Sequence, residues 1–386
     1  MIDYHLIYRF ILPLHILFCL LLGICFYLIK HEGKPKLKGY YIGRHIIAAG
    51  YLLLGLACFI EYYFLQDESI YTTQIVFLIS NAFDTSLFAL GLTKMVDISF
   101  ITRRRIAMEA AFILLVSGPL LAIYISIDTA SPSLTLQIAF LCSVAAILIK
   151  QIFNYSAFRK RYFAAKAQLD NYYSNDMGVH LDWVNSSFVL INTLMIIALV
   201  GCTIPYFWVV ITLIFIIWAS FLYIFISTIN YAPKIMLIEQ ILEANDNQMV
   251  PDKVPDAGPT TPGPGDIPSG QPAPIPVFAA LDKWVSEGHY TSPGITIEEV
   301  ASFIGTNRNK ISLHLNTYLN LSFREWISKL RIEKARELLV SEPDLSISEI
   351  GNRVSIPNRS NFDKMFKKII GESPAVYRLK NGQPEK

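Results

Sequence analysis

The sequence predicts an all-α protein in two parts, a polytopic seven-helix transmembrane bundle followed by a soluble all-α domain in which one long helix joins two pairs of shorter ones. Three observations predict it. Of 386 residues, 53% are hydrophobic and only 17% charged, more apolar surface than the polar residues of a single soluble domain could cover. Seven stretches carry about 20 apolar residues each, the length needed to cross a hydrocarbon core. A proline-rich interruption then gives way to a segment of ordinary soluble composition with repeated helix-start signatures.

The seven stretches lie at about 7–29, 45–65, 73–96, 106–127, 135–153, 186–203 and 205–228. The first lacks the basic leader and small-residue cleavage site of a signal peptide and is of membrane length, so it reads as a spanning helix. Short loops rich in Lys and Arg stay on the cytoplasmic side. Such residues fall in alternate connections: Lys30, Lys34, Lys36, Lys38 and Arg44, then Arg103, Arg104 and Arg105, then Arg159, Lys160, Arg161 and Lys166. The connections between them hold Gln66, Asp67, Glu68 and Asp128 and no Lys or Arg. The N-terminus is therefore expected outside and the C-terminus, after seven crossings, in the cytoplasm. All five cysteines (Cys19, Cys25, Cys58, Cys142 and Cys202) fall in apolar runs without metal-ligand spacing and read as packing residues, and no cofactor is implied. Asn81 and Asp84 share a face near the middle of the third stretch. Polar groups at that depth are costly unless paired or hydrated, so they form either a ligand or relay site or interhelical hydrogen-bonding glue. Glu109 and Lys150 lie near inner ends, where snorkelling accounts for them.

The region 1–230 is thus expected to be the membrane part. In 231–250, Ile235, Leu237, Ile238, Ile241 and Leu242 recur at helical spacing, predicting a juxtamembrane amphipathic helix that serves as a dimer contact or rests on headgroups. Residues 251–276 hold nine prolines and four glycines, a linker that reaches at most ~80 Å as polyproline II.

In 277–386, Thr296 with Glu299, Ser322 with Glu325 and Ser346 with Glu349 have capping-box spacing, and Ser373-Pro374 places an N-cap before a proline. Each of two units then reads as helix, turn, helix. In the first, Thr296–Ile304 turns inward Val300, Phe303 and Ile304, Gly305 makes the turn, and Asn307–Asn320 forms a second helix with Ile311, Leu315 and Leu319 inward. In the second, Ser346–Val354, the turn Ser355-Ile356-Pro357 and Asn358–Ile370 follow the same plan, with Phe362, Phe366 and Ile369 buried. Phe323–Val340 is the long helix between them. The exposed faces show Arg308, Asn309 and Ser312 in the first unit and Asn358, Arg359, Ser360, Asn361 and Lys364 in the second, side chains able to hydrogen-bond base edges in a major groove. Lys310, Lys367 and Lys368 suit phosphates, which position a protein without specifying sequence. Asp363 reads as a group that rejects phosphate, accepts from a cytosine amino group or, the favoured reading, orients its neighbours.

The signature Ile347-Ser348-Glu349-Ile350, Asn361-Phe362, Phe366-Lys367-Lys368, Gly371, Ser373-Pro374 and Tyr377-Arg378, with Leu330-Arg331-Ile332 and Ala335-Arg336 upstream, resembles the DNA-binding domain of the AraC/XylS family of bacterial transcription regulators. The resemblance covers the last quarter of the chain. It departs at Gly351, where the family commonly has Ala, and at Ser355-Ile356, where it has a Gly-Phe pair. It implies base contacts from Asn309, Ser312, Arg359, Ser360 and Lys364, and a double-stranded promoter as partner.

The sequence accordingly predicts a membrane-tethered one-component regulator, not an enzyme, in a bacterial cytoplasmic membrane. Its expected partners are promoter DNA and the lipid bilayer, with RNA polymerase and a second copy as further candidates, and its small-molecule or membrane signal is unidentified. The rival is a transporter or membrane enzyme with a regulatory appendage, for which no nucleotide, zinc-protease or serine-hydrolase motif is found. A third alternative makes the paired units a protein-binding module.

Overall fold

A computed structural model describes residues 4–29, 38–64, 70–126, 134–201, 212–231 and 275–381. The expected amphipathic helix at 231–250, apart from residue 231, and the linker up to residue 274 lie outside the described residues. Among those described there is no strand, and they divide into two compact units, 4–165 with 179–231 and 166–178 with 275–381.

The first unit holds seven helices long and apolar enough to cross a membrane. They are α1 (Tyr4–Leu28), α2 (Lys38–Phe64), α3 (Ile70–Val96), α4 (Arg103–Ser126), α5 (Leu134–Tyr172), α6 (Asp182–Gly201) and α7 (Thr212–Tyr231). Helix α3 is the hub: 72% of its apolar window is buried, against 22–39% in the other six. It packs on α2, α4 and α6. The α2–α3 crossing depends on paired glycines, because a Cβ on Gly43 would lie 2.7 Å from the Gly91 carbonyl oxygen, and one on Gly91 would lie 2.8 Å from that of Gly43. Small residues let helix backbones approach this closely. Tyr40 and Tyr51 of α2 donate to the Thr228 and Phe221 carbonyls of α7 at 2.9 and 3.2 Å, and Trp218 donates to His15 of α1 at 2.7 Å. The outward faces of α1, α4 and α5 are apolar, with Leu14, Leu17, Leu114, Leu115, Ile152 and Phe153 all exposed.

Four expectations need correction here. The fifth span does not end at 153 in a basic loop: α5 runs 39 residues, about 58 Å, because no Gly or Pro interrupts 151–172 and Arg, Lys, Ala and Gln continue a helix readily. Arg44 is not a loop residue. It is buried in α2, its guanidinium 5.0 Å from the ring centre of Tyr41. Glu109 and Lys150 do not snorkel, since Glu109 is 4% exposed and pairs with Lys150 at 2.8 Å and with Arg105 at 3.0 Å, so the charges are satisfied between α4 and α5. Cys25 and Cys142 face outward instead of packing inside.

The second unit comprises α8 (Ile275–Ser286), α9 (Ile297–Ile304), α10 (Arg308–His314), α11 (Phe323–Ser341), α12 (Ile347–Arg353), α13 (Arg359–Ile370), α14 (Pro374–Asn381) and the end of α5. All three expected capping boxes form. Two apolar cores share α11. Its first half sends Phe323, Trp326 and Ile327 among Leu281, Trp284, Val300, Ile311 and Leu315, and its second half sends Ile332, Ala335 and Leu339 among Ile350, Val354, Phe362 and Phe366. The expected inward faces are narrower than the pattern suggested: Phe303 is 49% and Leu319 45% exposed, and Ile304 and Ile369 are half-buried. The helix after Arg308 widens into a π turn at Leu315–Leu319 and closes at Asn320, which rotates Leu319 off the core.

The glycine crossing yields a contrast. Gly91→Leu, which must push the Gly43 carbonyl away, is expected to cost about 1–3 kcal/mol, whereas Gly118→Leu, with nothing within 4 Å of a new Cβ, should leave the unfolding temperature of the detergent-solubilised chain unchanged.

Candidate nucleic-acid interface

Each unit pairs a supporting helix, α9 or α12, with a following helix, α10 or α13, whose start is set by an asparagine. The Asn307 side chain accepts from Lys310 N and that of Asn358 from Asn361 N, both at 2.9 Å, satisfying N–H groups that the first turn leaves free. The two turns reach the same left-handed backbone differently. Gly305 does so at φ 74 and Ser355 at φ 58, where a side chain is strained. The Ser355 hydroxyl offsets this by donating to the Thr291 carbonyl. Gly351 is equally constrained, since a Cβ there would sit 2.9 Å from the Ile356 carbonyl oxygen.

On α13 the sequence-predicted face is presented to solvent: Asn358, Arg359, Ser360, Asn361, Lys364, Lys367 and Lys368 are all exposed, and Phe362 and Phe366 are buried beneath. Asp363 receives the Arg359 guanidinium at 3.0 Å, an orienting contact across one helical turn. The Asn358 side-chain oxygen accepts the capping bond, and its amide N–H groups are the donors it can offer a ligand. On α10, Asn309 and Lys310 are exposed, and Ser312 is half-buried and accepts from Asn316 at 3.2 Å.

Arg308 does not join that face. Its side chain is 9% exposed and donates to Glu298 of α9 at 3.3 Å, with the guanidinium 5.7 Å from the ring centre of Tyr172 at the end of α5. Glu298 also accepts from the Tyr172 hydroxyl at 2.6 Å. This knot was invisible in sequence because Tyr172 lies more than a hundred residues away from both partners.

Sequence reasoning placed Arg331 in the connecting helix without giving it a task. It is 3% exposed, and its Nε and Nη2 donate to the Tyr290 and Ser292 carbonyls at 2.8 and 2.6 Å, with Nη1 3.5 Å from the Ser355 carbonyl. Burial pushes the guanidinium down to about 10, so it stays charged at neutral pH. One side chain thereby holds the edge of the first unit against the turn of the second.

In the first unit of the chain, Asn81 and Asp84 are buried on α3 at 2% and 3% exposure. Asn81 meets Met195 of α6 at 3.3 Å and accepts from Thr85, whose carbonyl accepts from Asn154 of α5 at 3.3 Å. Asp84 Oδ1 is buried without a hydrogen-bond partner among the described residues.

A protein-family model described as a helix-turn-helix domain matches residues 300–380. Curated transcription regulators are also similar to part of the chain. The raffinose operon transcriptional regulatory protein of Pediococcus pentosaceus is 32% identical over 91 residues, 24% of this chain and 32% of that protein. The Msm operon regulatory protein of Streptococcus mutans is 31% identical over 84 residues, 22% and 30% of the two chains. The C-terminal region is a helix-turn-helix domain of the AraC/XylS type. This chain spans less than a third of the length of those two relatives. Among solved structures, the C-terminal domain of AraT, a response regulator from Geobacillus stearothermophilus, is 33% identical, with 29% of this chain and 90% of that chain covered and a TM-score of 0.26. The positions at which this AraC-type domain departs from the family signature are Gly351, inside α12, and Ser355, in the turn before α13.

Two consequences are measurable. Arg331→Leu leaves buried carbonyls unsatisfied and is expected to destabilise the AraC-type domain by about 3 kcal/mol, read as a lower urea midpoint for protease resistance of α9–α14. The capping carboxylates set an acid limit. Hydrogen bonds from Ser322 hold Glu325, and from Ser346 hold Glu349, below their ordinary 4.5. Carboxyl groups so depressed contribute stability above the unfolded value that is lost as pH falls through the folded one. Glu325→Gln/Glu349→Gln should therefore be less stable than wild type at pH 7, with the gap closing below pH 4.5.

Proposed function

We propose that the chain is a membrane-tethered transcription regulator that binds promoter DNA sequence-specifically through its two helix-turn-helix units. The observation that carries this reading is the solvent face of α13, where Arg359, Ser360, Asn361 and Lys364 stand out over a buried Phe362–Phe366 stripe with Lys367 and Lys368 at the helix end. That is the composition of a helix laid in a major groove, with base-edge donors at its start and phosphate partners at its end. Asn309, Ser312 and Lys310 supply the corresponding face of α10. Arg308 would join them only after leaving Glu298. Helix α11 spans about 28 Å at 1.5 Å per residue, a rigid spacer of the scale at which two readers meet successive major grooves on one face of a duplex.

Membrane tethering is supported by seven apolar helices whose outward faces are hydrophobic and by the alternation of basic connections, which favours an outside N-terminus and a cytoplasmic DNA-binding domain. In this reading residues 1–230 sense a signal, 251–276 tether the AraC-type domain that follows, and the Asn81–Asp84 region of α3 is the place for an intramembrane ligand or relay. A copy-to-copy contact through 231–250 and recruitment of RNA polymerase complete it.

The test is selection of bound sequences from genomic fragments by the full chain in lipid nanodiscs. Recovery of a common site, with affinity falling steeply as salt rises, is expected; no sequence preference at any salt would refute the regulator. On a selected site, Arg359→Ala and Lys364→Ala should each relax discrimination by about 1–3 kcal/mol per lost base contact, whereas Lys367→Ala should weaken all sequences alike.

A further inference from the structure

The end of α5 and the residues after it, Lys166–Gly178, belong to the AraC-type unit. The contacts are of several independent kinds. Arg324, in the first turn of α11, donates to Asp170 at 3.0 Å and pairs with Asp176 at 2.7 Å. Ser174 N donates to the Ile295 carbonyl at 3.0 Å, and Tyr173 and Thr296 form an isolated antiparallel bridge. Tyr172 packs against the core of the first helix-turn-helix unit and closes the knot with Glu298 and Arg308. Beyond it, Asn175 and Asp176 line a cleft of about 540 Å³ whose other walls include Arg324, Asn358, Asn361 and Met365.

Two features of this contact bear on DNA. Arg308, the first residue of α10, is kept off the reading face by the knot, and Arg324 is held by two carboxylates that present the charge and geometry a guanidinium otherwise finds in phosphate. Asp176 also puts a negative charge in the cleft that Asn358 and Asn361 at the start of α13 line, and like charges repel a duplex backbone entering it.

We propose that Lys166–Gly178 is an acidic intramolecular latch that competes with duplex DNA for the AraC-type domain, its Asp170 and Asp176 standing in for phosphates at Arg324 and its Tyr172 keeping Arg308 off the reading face. This deepens the DNA-binding reading and rests on it. Because the latch begins within α5, one continuous helix links it to the apolar bundle. A shift of α5 that withdraws the latch frees Arg308 and Arg324 together, with no change needed in the proline-rich tether.

The bridge supplies a lock. Antiparallel partners have Cα atoms about 4.5–5.5 Å apart, within disulfide range. In a full chain with its five native cysteines replaced by alanine, Tyr173→Cys/Thr296→Cys can be oxidised or reduced in nanodiscs and titrated by anisotropy against a fluorescein-labelled duplex of random sequence. The oxidised form should bind more weakly than the same protein reduced, by the roughly 5- to 150-fold of typical site coupling. Tyr172→Leu, which changes no charge, should bind the duplex more tightly than wild type in an otherwise native chain. Equal affinities of the oxidised and reduced forms would overturn the latch while leaving DNA binding intact. Tyr172→Leu without any gain in affinity would overturn it too. No binding by the reduced form, the wild type or Tyr172→Leu would instead remove the DNA-binding reading, and the latch with it.

Discussion

One helix forming a wall of two hydrophobic cores is the constraint on which the AraC-type unit depends. Phe323, Trp326 and Ile327 face one core, and Ile332, Ala335 and Leu339 face the other. Between them Arg331 is buried and donates to backbone carbonyls on both sides. Neither helix-turn-helix unit is large enough to bury its apolar face alone, so each borrows half of α11, and their relative orientation follows from the rotation of one rigid rod. A charged group at this junction is an orientation device more than a source of stability: it tolerates little displacement before a buried guanidinium or carbonyl loses its partner.

The apolar unit solves a related problem by different means. Close backbone approach and internally paired polar groups set its packing. Gly43 and Gly91 permit the first. The Glu109 pairs with Lys150 and Arg105, the Arg161–Asp97 pair at 2.9 Å and the string from Asn81 through Thr85 to Asn154 supply the second. These contacts converge on α3, α4 and α5, so the packing of α3 is tied to the helix that leads into the proposed latch.

Much of this was legible in the sequence because the relevant signals are local. Seven apolar runs, three capping boxes and the glycine at 305 each rest on residues within one or two turns, where spacing alone dictates which groups meet. The failures are equally physical. The basic cluster Arg159–Lys166 marks where apolar composition stops, and was taken for a loop, yet composition does not break a helix and α5 continues to Tyr172. Leu319 has the right spacing for the core, but the π turn at Leu315–Leu319 alters the period on which that spacing was counted.

By itself, then, the sequence determined the element plan, the AraC/XylS character of the C-terminal quarter and the exposed face of α13, since helix periodicity turns a pattern of apolar residues into a direction. Tertiary structure alone decided which charges are free to act. Arg308, Arg324, Arg331 and Arg359 are equivalent cations in a string of letters. In the fold, Arg308 is held by Glu298 beside Tyr172, Arg324 by Asp170 and Asp176, Arg331 by buried carbonyls, and Arg359 is exposed beside Asp363. Three of these four arrangements depend on residues more than twenty positions away in the chain, and Coulomb energy depends on distance in space, which sequence separation does not encode.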